Sequence, residues 1–145
     1  MRILILSCAG MLWLASCAYD EPVIEDYTTE LAGTYEVDYV GKNIAALDLF
    51  VEVEAVDEDE VLIIPPDSSK HTQFQVKLVK LSGGDFAFKV GPQSSGDYYV
   101  YGVNSNSSKY DGGFQPDDQS FFYQVIYERF SVLDTATVIG SFKTN

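Results

Sequence analysis

The chain has 145 residues, of which 46% are hydrophobic, and its 22 acidic against nine basic side chains give a formal net charge of −13. This length suits a single domain, and so acidic a surface repels phosphate backbones, which argues against nucleic-acid binding. Of the two cysteines, Cys8 falls within the leader predicted below, so the mature chain would keep Cys17 alone. We therefore expect neither a disulfide nor a thiolate metal site.

The first seventeen residues have the pattern of an export signal that ends in a lipid-modified cysteine. Arg2 precedes an apolar run at 3–15, which has the length of a signal-peptide core and is too short to span a bilayer. The run ends in Leu14-Ala15-Ser16-Cys17, which resembles the lipobox of bacterial lipoproteins. The resemblance implies that residues 1–16 are removed and that a lipid on Cys17 anchors the protein to a membrane.

Residues 17–33 are predicted to form an acidic tether between the lipid and the domain. Ala18 follows the lipidated cysteine, and by the enterobacterial sorting rule a residue other than aspartate there favours the outer membrane. The acidic stretch at 19–26 resembles the export signal of Bacteroidetes cell-surface lipoproteins, with an ordinary solvated linker as the alternative. We expect an outer-membrane lipoprotein, on the cell surface or on the periplasmic face.

The remainder, 34–145, is predicted to be one all-β domain, because apolar and polar residues alternate and helical spacing is scarce. Eight strands are predicted, at 34–40, 46–55, 61–64, 72–81, 86–90, 97–103, 120–130 and 135–142. The connections are too short for crossover helices, so we expect an antiparallel sheet. The longest connection, 104–119, is predicted to be a polar loop.

Eight antiparallel strands in about 110 residues favour a closed barrel, with a two-sheet sandwich as the alternative. Leu31-Ala32-Gly33-Thr34-Tyr35 resembles the start of lipocalin-like barrels, where an aromatic residue packs against a late arginine. That resemblance implies that Tyr35 and Arg129 have these roles. The lipobox, the acidic tether, the segment 32–40 and the aromatic closing strands together resemble small Bacteroidetes lipoproteins described as lipid-binding hydrolases. This likeness implies a lipocalin-like fold and a location in the cell envelope more than it implies a particular reaction.

Residues that could carry catalysis or metal binding are few. His71 is the only histidine, and we expect it to be an exposed residue at a strand edge. No Gly-x-Ser-x-Gly elbow accompanies it, and one histidine without a free cysteine excludes a histidine-based zinc site. The acidic run at 57–60 lacks the spacing of an EF-hand loop and is interpreted as a solvated loop tip. The sequence thus predicts no metal and no cofactor, and it favours a protein that is not an enzyme.

The density of tyrosine in the last third of the chain is the feature that bears most on function. A tyrosine offers a flat apolar face and a hydroxyl, which suits binding of sugars or amphiphiles, although aromatic residues also pack small cores. Our leading hypothesis is a non-catalytic module that binds a small amphiphile, lipid or glycan. The predicted contacts are Tyr99, Tyr101, Tyr123, Tyr127 and Arg129.

Two alternative functions remain open from the sequence. One is an accessory subunit of an outer-membrane uptake or adhesion complex, which would present an exposed apolar patch to a protein partner. The other is a hydrolase, which would need a pocket that contains His71 or a carboxylate pair of perturbed pKa.

Overall fold

The structure, a computed structural model, describes residues 26–42 and 44–143. The predicted leader at 1–16, the predicted lipidation site Cys17 and the first part of the predicted tether lie outside the described residues. Ten strands dominate the fold: β1 (Gly33–Val40), β2 (Ala45–Asp57), β3 (Glu60–Ile64), β4 (Phe74–Lys80), β5 (Phe86–Lys89), β6 (Gln93–Ser95), β7 (Tyr98–Gly102), β8 (Gly112–Gln115), β9 (Ser120–Arg129) and β10 (Val132–Lys143). A short helix α1 (Thr28–Leu31) precedes them, and one-turn 3-10 helices lie at Asp67–Ser69 and Pro116–Asp118. Within these ranges, no helix combines the length and the apolarity needed to cross a bilayer.

All ten strands belong to one antiparallel sheet, which confirms the predicted all-β class and the predicted strand direction. Eight of them pair in a closed ring, in the order β1-β2-β3-β4-β5-β8-β9-β10, and β10 returns to β1. The hairpin of β6 and β7 attaches to β9 beyond the end of β8, so β7 and β8 share one edge of β9.

The structure differs from the predicted strands in one part of the ring. Every predicted segment forms a strand, but β6 and β8 are additional, and β8 lies within the predicted loop 104–119. This strand is not predicted from the sequence because it contains Gly112 and Gly113, and glycine is rare in strand interiors. Here the missing side chain is needed, since a Cβ on Gly112 would lie 2.3 Å from the ring of Phe88. β8 therefore closes the ring, whereas the sixth predicted strand, β7, lies outside it.

Alternate residues of the ring strands point inward and form an aromatic core. Its buried aromatic side chains are Tyr35, Tyr39, Phe74, Phe86, Phe88, Phe114, Phe121, Tyr123 and Tyr127. The ring centroid of Phe121 lies 4.7 Å from the ring centroid of Tyr35 and 4.7 Å from that of Phe114. Side chains thus fill the inside of the ring, and pockets open at its ends and on its outer face.

The helix α1 packs on one end of the ring and is part of the folded domain. Leu31 is buried in the core, and the hydroxyl of Thr28 donates a 2.8 Å hydrogen bond to the carbonyl of Asp57. The hydroxyl of Tyr35 in turn donates a 2.8 Å bond to the carbonyl of Leu31. The packed part of the chain therefore begins before the boundary predicted at residue 34, because Leu31 supplies an apolar side chain that the core needs.

Three connections meet at the opposite end of the ring, which we call the His71 end. They are the β1–β2 turn, the β3–β4 connection that carries His71, and the two-residue β9–β10 turn. Gly41 of the first lies beside both the His71 ring and the carboxylate of Asp134, the third residue of β10.

Candidate functional site

A pocket of about 560 Å³ opens at the His71 end of the ring. Its apolar walls come from Ile44, Tyr98, Tyr127, Phe130 and Val132. Its polar walls come from Ser68, Ser69, Lys70, His71, Arg129 and Asp134. The volume lies in the range of small-molecule sites, and the mixture of apolar walls with a few polar groups is typical of them.

His71 lies between this pocket and the core, and the prediction that it is exposed is wrong. Its side chain is only 3% exposed, and its ring stacks on Tyr127 at 4.1 Å with an interplanar angle of 4°. Its Nε2 lies 3.0 Å from Asp134 Oδ2, and its Nδ1 lies 2.6 Å from the hydroxyl oxygen of Tyr39. The polar neighbours of His71 along the chain conceal this burial, which arises from residues of β1, β9 and β10 that the fold brings to it.

The hydrogen bonds of His71 fit a neutral imidazole. Its Nε2–H then donates to Asp134 Oδ2, and its Nδ1 accepts the hydroxyl proton of Tyr39. The other carboxylate oxygen of Asp134 accepts the backbone N–H of Lys42 at 2.5 Å. Burial lowers the pKa of His71, and the nearby Asp134 opposes that effect. We therefore infer that His71 is neutral near pH 7 with both ring nitrogens occupied.

Behind His71, three tyrosine side chains are fully buried in the core: Tyr39, Tyr123 and Tyr127. Burial raises the pKa of Tyr39 to about 12, and it raises the pKa of the other two phenols as well. The hydroxyls of Tyr123 and Tyr127 face Tyr39 but make no hydrogen bond of regular geometry within the described part of the chain. All three are neutral phenols at pH 7, which suits packing rather than acid–base chemistry.

The predicted contact residues do not form one site. Tyr99 is 44% exposed and Tyr101 is partly exposed, and their rings pack together on the outer face of β7 at 5.8 Å. Tyr123 and Tyr127 point into the core from β9. Because successive strand residues face opposite sides, it is Tyr98 rather than Tyr99 that lines the pocket. Of the five predicted contacts, only Tyr127 and Arg129 line it.

Arg129 does not have the role that the lipocalin resemblance implies. Glu36 of β1 pairs with Ser141 of β10, which pairs with Ser120 at the start of β9. Tyr35 therefore lies near the start of β9, at the α1 end of the ring. Arg129 ends β9 at the His71 end, where its Nη2 donates a 2.7 Å hydrogen bond to Asp97. Its guanidinium lies 5.4 Å from the ring centroid of Tyr98. Since the length of β9 separates the two positions, the implied packing of Tyr35 against Arg129 is wrong.

The β9–β10 turn at the rim of the pocket is strained. Its two central residues, Phe130 and Ser131, have φ angles of 51° and 63°, a pattern that two-residue hairpins usually reserve for asparagine and glycine. Phe130 is also 82% exposed, and the Arg129 guanidinium lies 5.1 Å from its ring centroid. A bulky apolar side chain is thus held over the pocket rim in an unfavourable backbone conformation and in contact with water.

The acidic loop at 57–60 forms ordinary surface contacts. Asp59 pairs with Lys77 at 2.7 Å, and Asp57 accepts the backbone N–H of Glu58. Among the described residues, no group of three His, Cys, Asp or Glu side chains could hold a metal ion.

The contacts of His71 and Ser69 do not suit a serine-type hydrolase. A histidine base must take its proton from a nucleophile that substrate can reach, whereas Nδ1 of His71 faces the hydroxyl of the fully buried Tyr39 and Nε2 faces Asp134. The nearby hydroxyl of Ser69 donates to the carbonyl of Pro66 at 2.7 Å and accepts the backbone N–H of His71. Comparisons with family models, with curated proteins and with solved structures return no match.

Proposed function

We propose that this chain is a lipid-anchored binding module of the bacterial cell envelope, attached through Cys17 to the outer membrane, whose pocket at the His71 end binds a small amphiphile. The lipobox pattern around Cys17 supports the anchor. The closed ring of eight strands supports a lipocalin-like barrel. In this proposal the protein binds its ligand and does not act as an enzyme.

The observation that carries the binding proposal is the composition of the pocket rim. Phe130 and Val132 remain exposed there, although each could have been polar without cost to the core. Tyr98 adds an aromatic wall, and Lys70 and Arg129 line the same pocket. Apolar walls beside a few polar groups favour an amphiphile over a glycan, which would need more hydrogen-bonding groups.

Isothermal titration calorimetry of the full chain with decanol, an uncharged amphiphile, tests this proposal. We expect saturable binding that weakens roughly tenfold in Val132→Ser, because a valine side chain lost from an apolar contact is worth about 1–1.5 kcal/mol. Leu133→Ser is the matched control, since Leu133 is similarly exposed but does not line the pocket. Absence of saturable binding, or equal loss in both variants, would contradict the proposal.

A second candidate function, docking to an outer-membrane protein partner, has one specific observation in its favour. Tyr110, Phe122 and Ile139 are exposed around a hollow of about 430 Å³ on the outer face of β9 and β10. Phe122 and Ile139 are cross-strand partners, so they form a continuous apolar patch. Co-purification with a membrane protein that is lost in Ile139→Asp, while decanol binding persists, would favour this second function.

A further inference from the structure

We propose that the amphiphile bound at the His71 end carries one singly charged anionic group, which Lys70 recognises. This inference rests on the proposed binding function of the same pocket and adds the chemical class of the ligand. The argument uses the three charged side chains that line the pocket: Lys70, Arg129 and Asp134.

Two of these three side chains already have partners within the protein. Asp134 accepts hydrogen bonds on both carboxylate oxygens, from His71 and from the backbone of Lys42. Arg129 is paired with Asp97 at 2.7 Å. Asp97 therefore offsets the positive charge of Arg129, and Asp134 is a carboxylate that would repel an anion, so Lys70 is the better main contact for an anionic ligand.

Lys70 is the third charged residue that lines the pocket. It follows the 3-10 helix at 67–69 in a left-handed conformation with φ of 59°, and it is exposed. Its ammonium group makes no ion pair with any side chain of the described ranges. In a chain with a net charge of −13, this lysine places a positive charge beside the apolar walls of the pocket, where it is available to a ligand.

The same set of charges limits the ligand to a single negative charge. Because Asp97 offsets the charge of Arg129, the lining carries one cation without an acidic partner, Lys70, beside one carboxylate, Asp134. A second negative charge on the ligand would face Asp134 and the acidic remainder of the surface, which would repel it.

Phe130 is where the apolar body of the ligand would pack. Its positive φ and its 82% exposure are both unfavourable in the free protein. A ligand that covers the ring removes the exposure, so the strained turn is understandable as part of a binding site.

The test compares decanoate with decanol, which share an alkyl chain and differ in charge, by calorimetry on the full chain at a pH where the carboxylate is ionised. We expect decanoate to bind on the order of tenfold more tightly, in line with a charge-assisted hydrogen bond to an ammonium group. Lys70→Gln should remove this preference and leave decanol binding unchanged. Lys109→Gln, which changes an exposed lysine outside the pocket, should leave both affinities unchanged.

The outcomes separate the inference from the function on which it rests. If decanol binds in the pocket but decanoate binds no more tightly, or if Lys70→Gln weakens both ligands equally, the inference is wrong and the binding function stands. If neither ligand binds, the proposed function fails and the inference fails with it.

Discussion

His71 couples the pocket to the core, and its burial has a consequence for stability. In the unfolded chain its imidazole titrates near the ordinary value of about 6.5, whereas burial lowers the pKa in the folded protein. As pH falls below about 6.5, the unfolded chain therefore takes up a proton before the folded chain does. The contribution of His71 to stability is present above that pH and is lost as pH falls through the folded-state pKa.

We expect the free energy of unfolding, measured by urea denaturation, to decrease between about pH 7 and pH 5 in the wild-type chain. His71→Gln removes the titrating group, so its free energy of unfolding should change less over the same interval, even though the variant is less stable at pH 7. Identical pH dependence in the two proteins would show that His71 is not buried as a neutral side chain.

The surroundings of His71 could not be predicted from sequence patterns for two reasons. Tyr98, Tyr99 and Tyr101 surround Val100, so both faces of β7 are aromatic and the alternation does not reveal which face is buried. The hydrogen bonds with Asp134 and Tyr39 join residues far apart in sequence, and no local pattern records them.

Among the strands, the junction between β7 and β8 depends on one buried carboxylate. Asp111 accepts the backbone N–H of Val90 at 2.9 Å and that of Asn104 at 2.7 Å. Its own backbone bonds to Phe88 and to Gln124, so this residue links β8 to both neighbours. Asp111 thus supplies hydrogen bonds where the sheet ladder is interrupted.

Replacement of this carboxylate should destabilise the protein strongly. Asp111→Ala leaves the buried N–H of Val90 and the N–H of Asn104 without an acceptor, and we expect a loss of about 2–4 kcal/mol in the free energy of unfolding. Asp118→Ala, at an exposed position, should change it by less than about 0.5 kcal/mol. Similar urea midpoints for the two variants would rule out the role assigned to Asp111.

For the molecule as a whole, the closed ring is completed at one end by α1. Leu31 is buried there although it precedes the first strand, and we expect Leu31→Ala to lower the free energy of unfolding by about 2–4 kcal/mol. Leu133→Ala, which truncates a half-exposed leucine at the other end, should cost less than about 0.5 kcal/mol. Thermal or urea unfolding of both variants measures the difference, and equal stability would place α1 outside the folded domain.

The proposed orientation of the molecule follows from these two ends. The described chain enters at α1, whereas the pocket lies at the opposite, His71 end. If Cys17 carries the lipid, the proposed pocket would face away from the anchored end, where it could meet ligands or partners.

What the sequence by itself determined is the all-β class, the antiparallel direction and the position of eight strands. These follow from alternation along short segments and from the placement of turn residues, which are local properties of the chain. The tertiary structure alone decided that β8 closes the ring, that His71 is buried against Asp134 and Tyr39, and that Asp111 bridges the strands. Each of these depends on contacts between residues distant in sequence, whose energies appear only when the chain is folded.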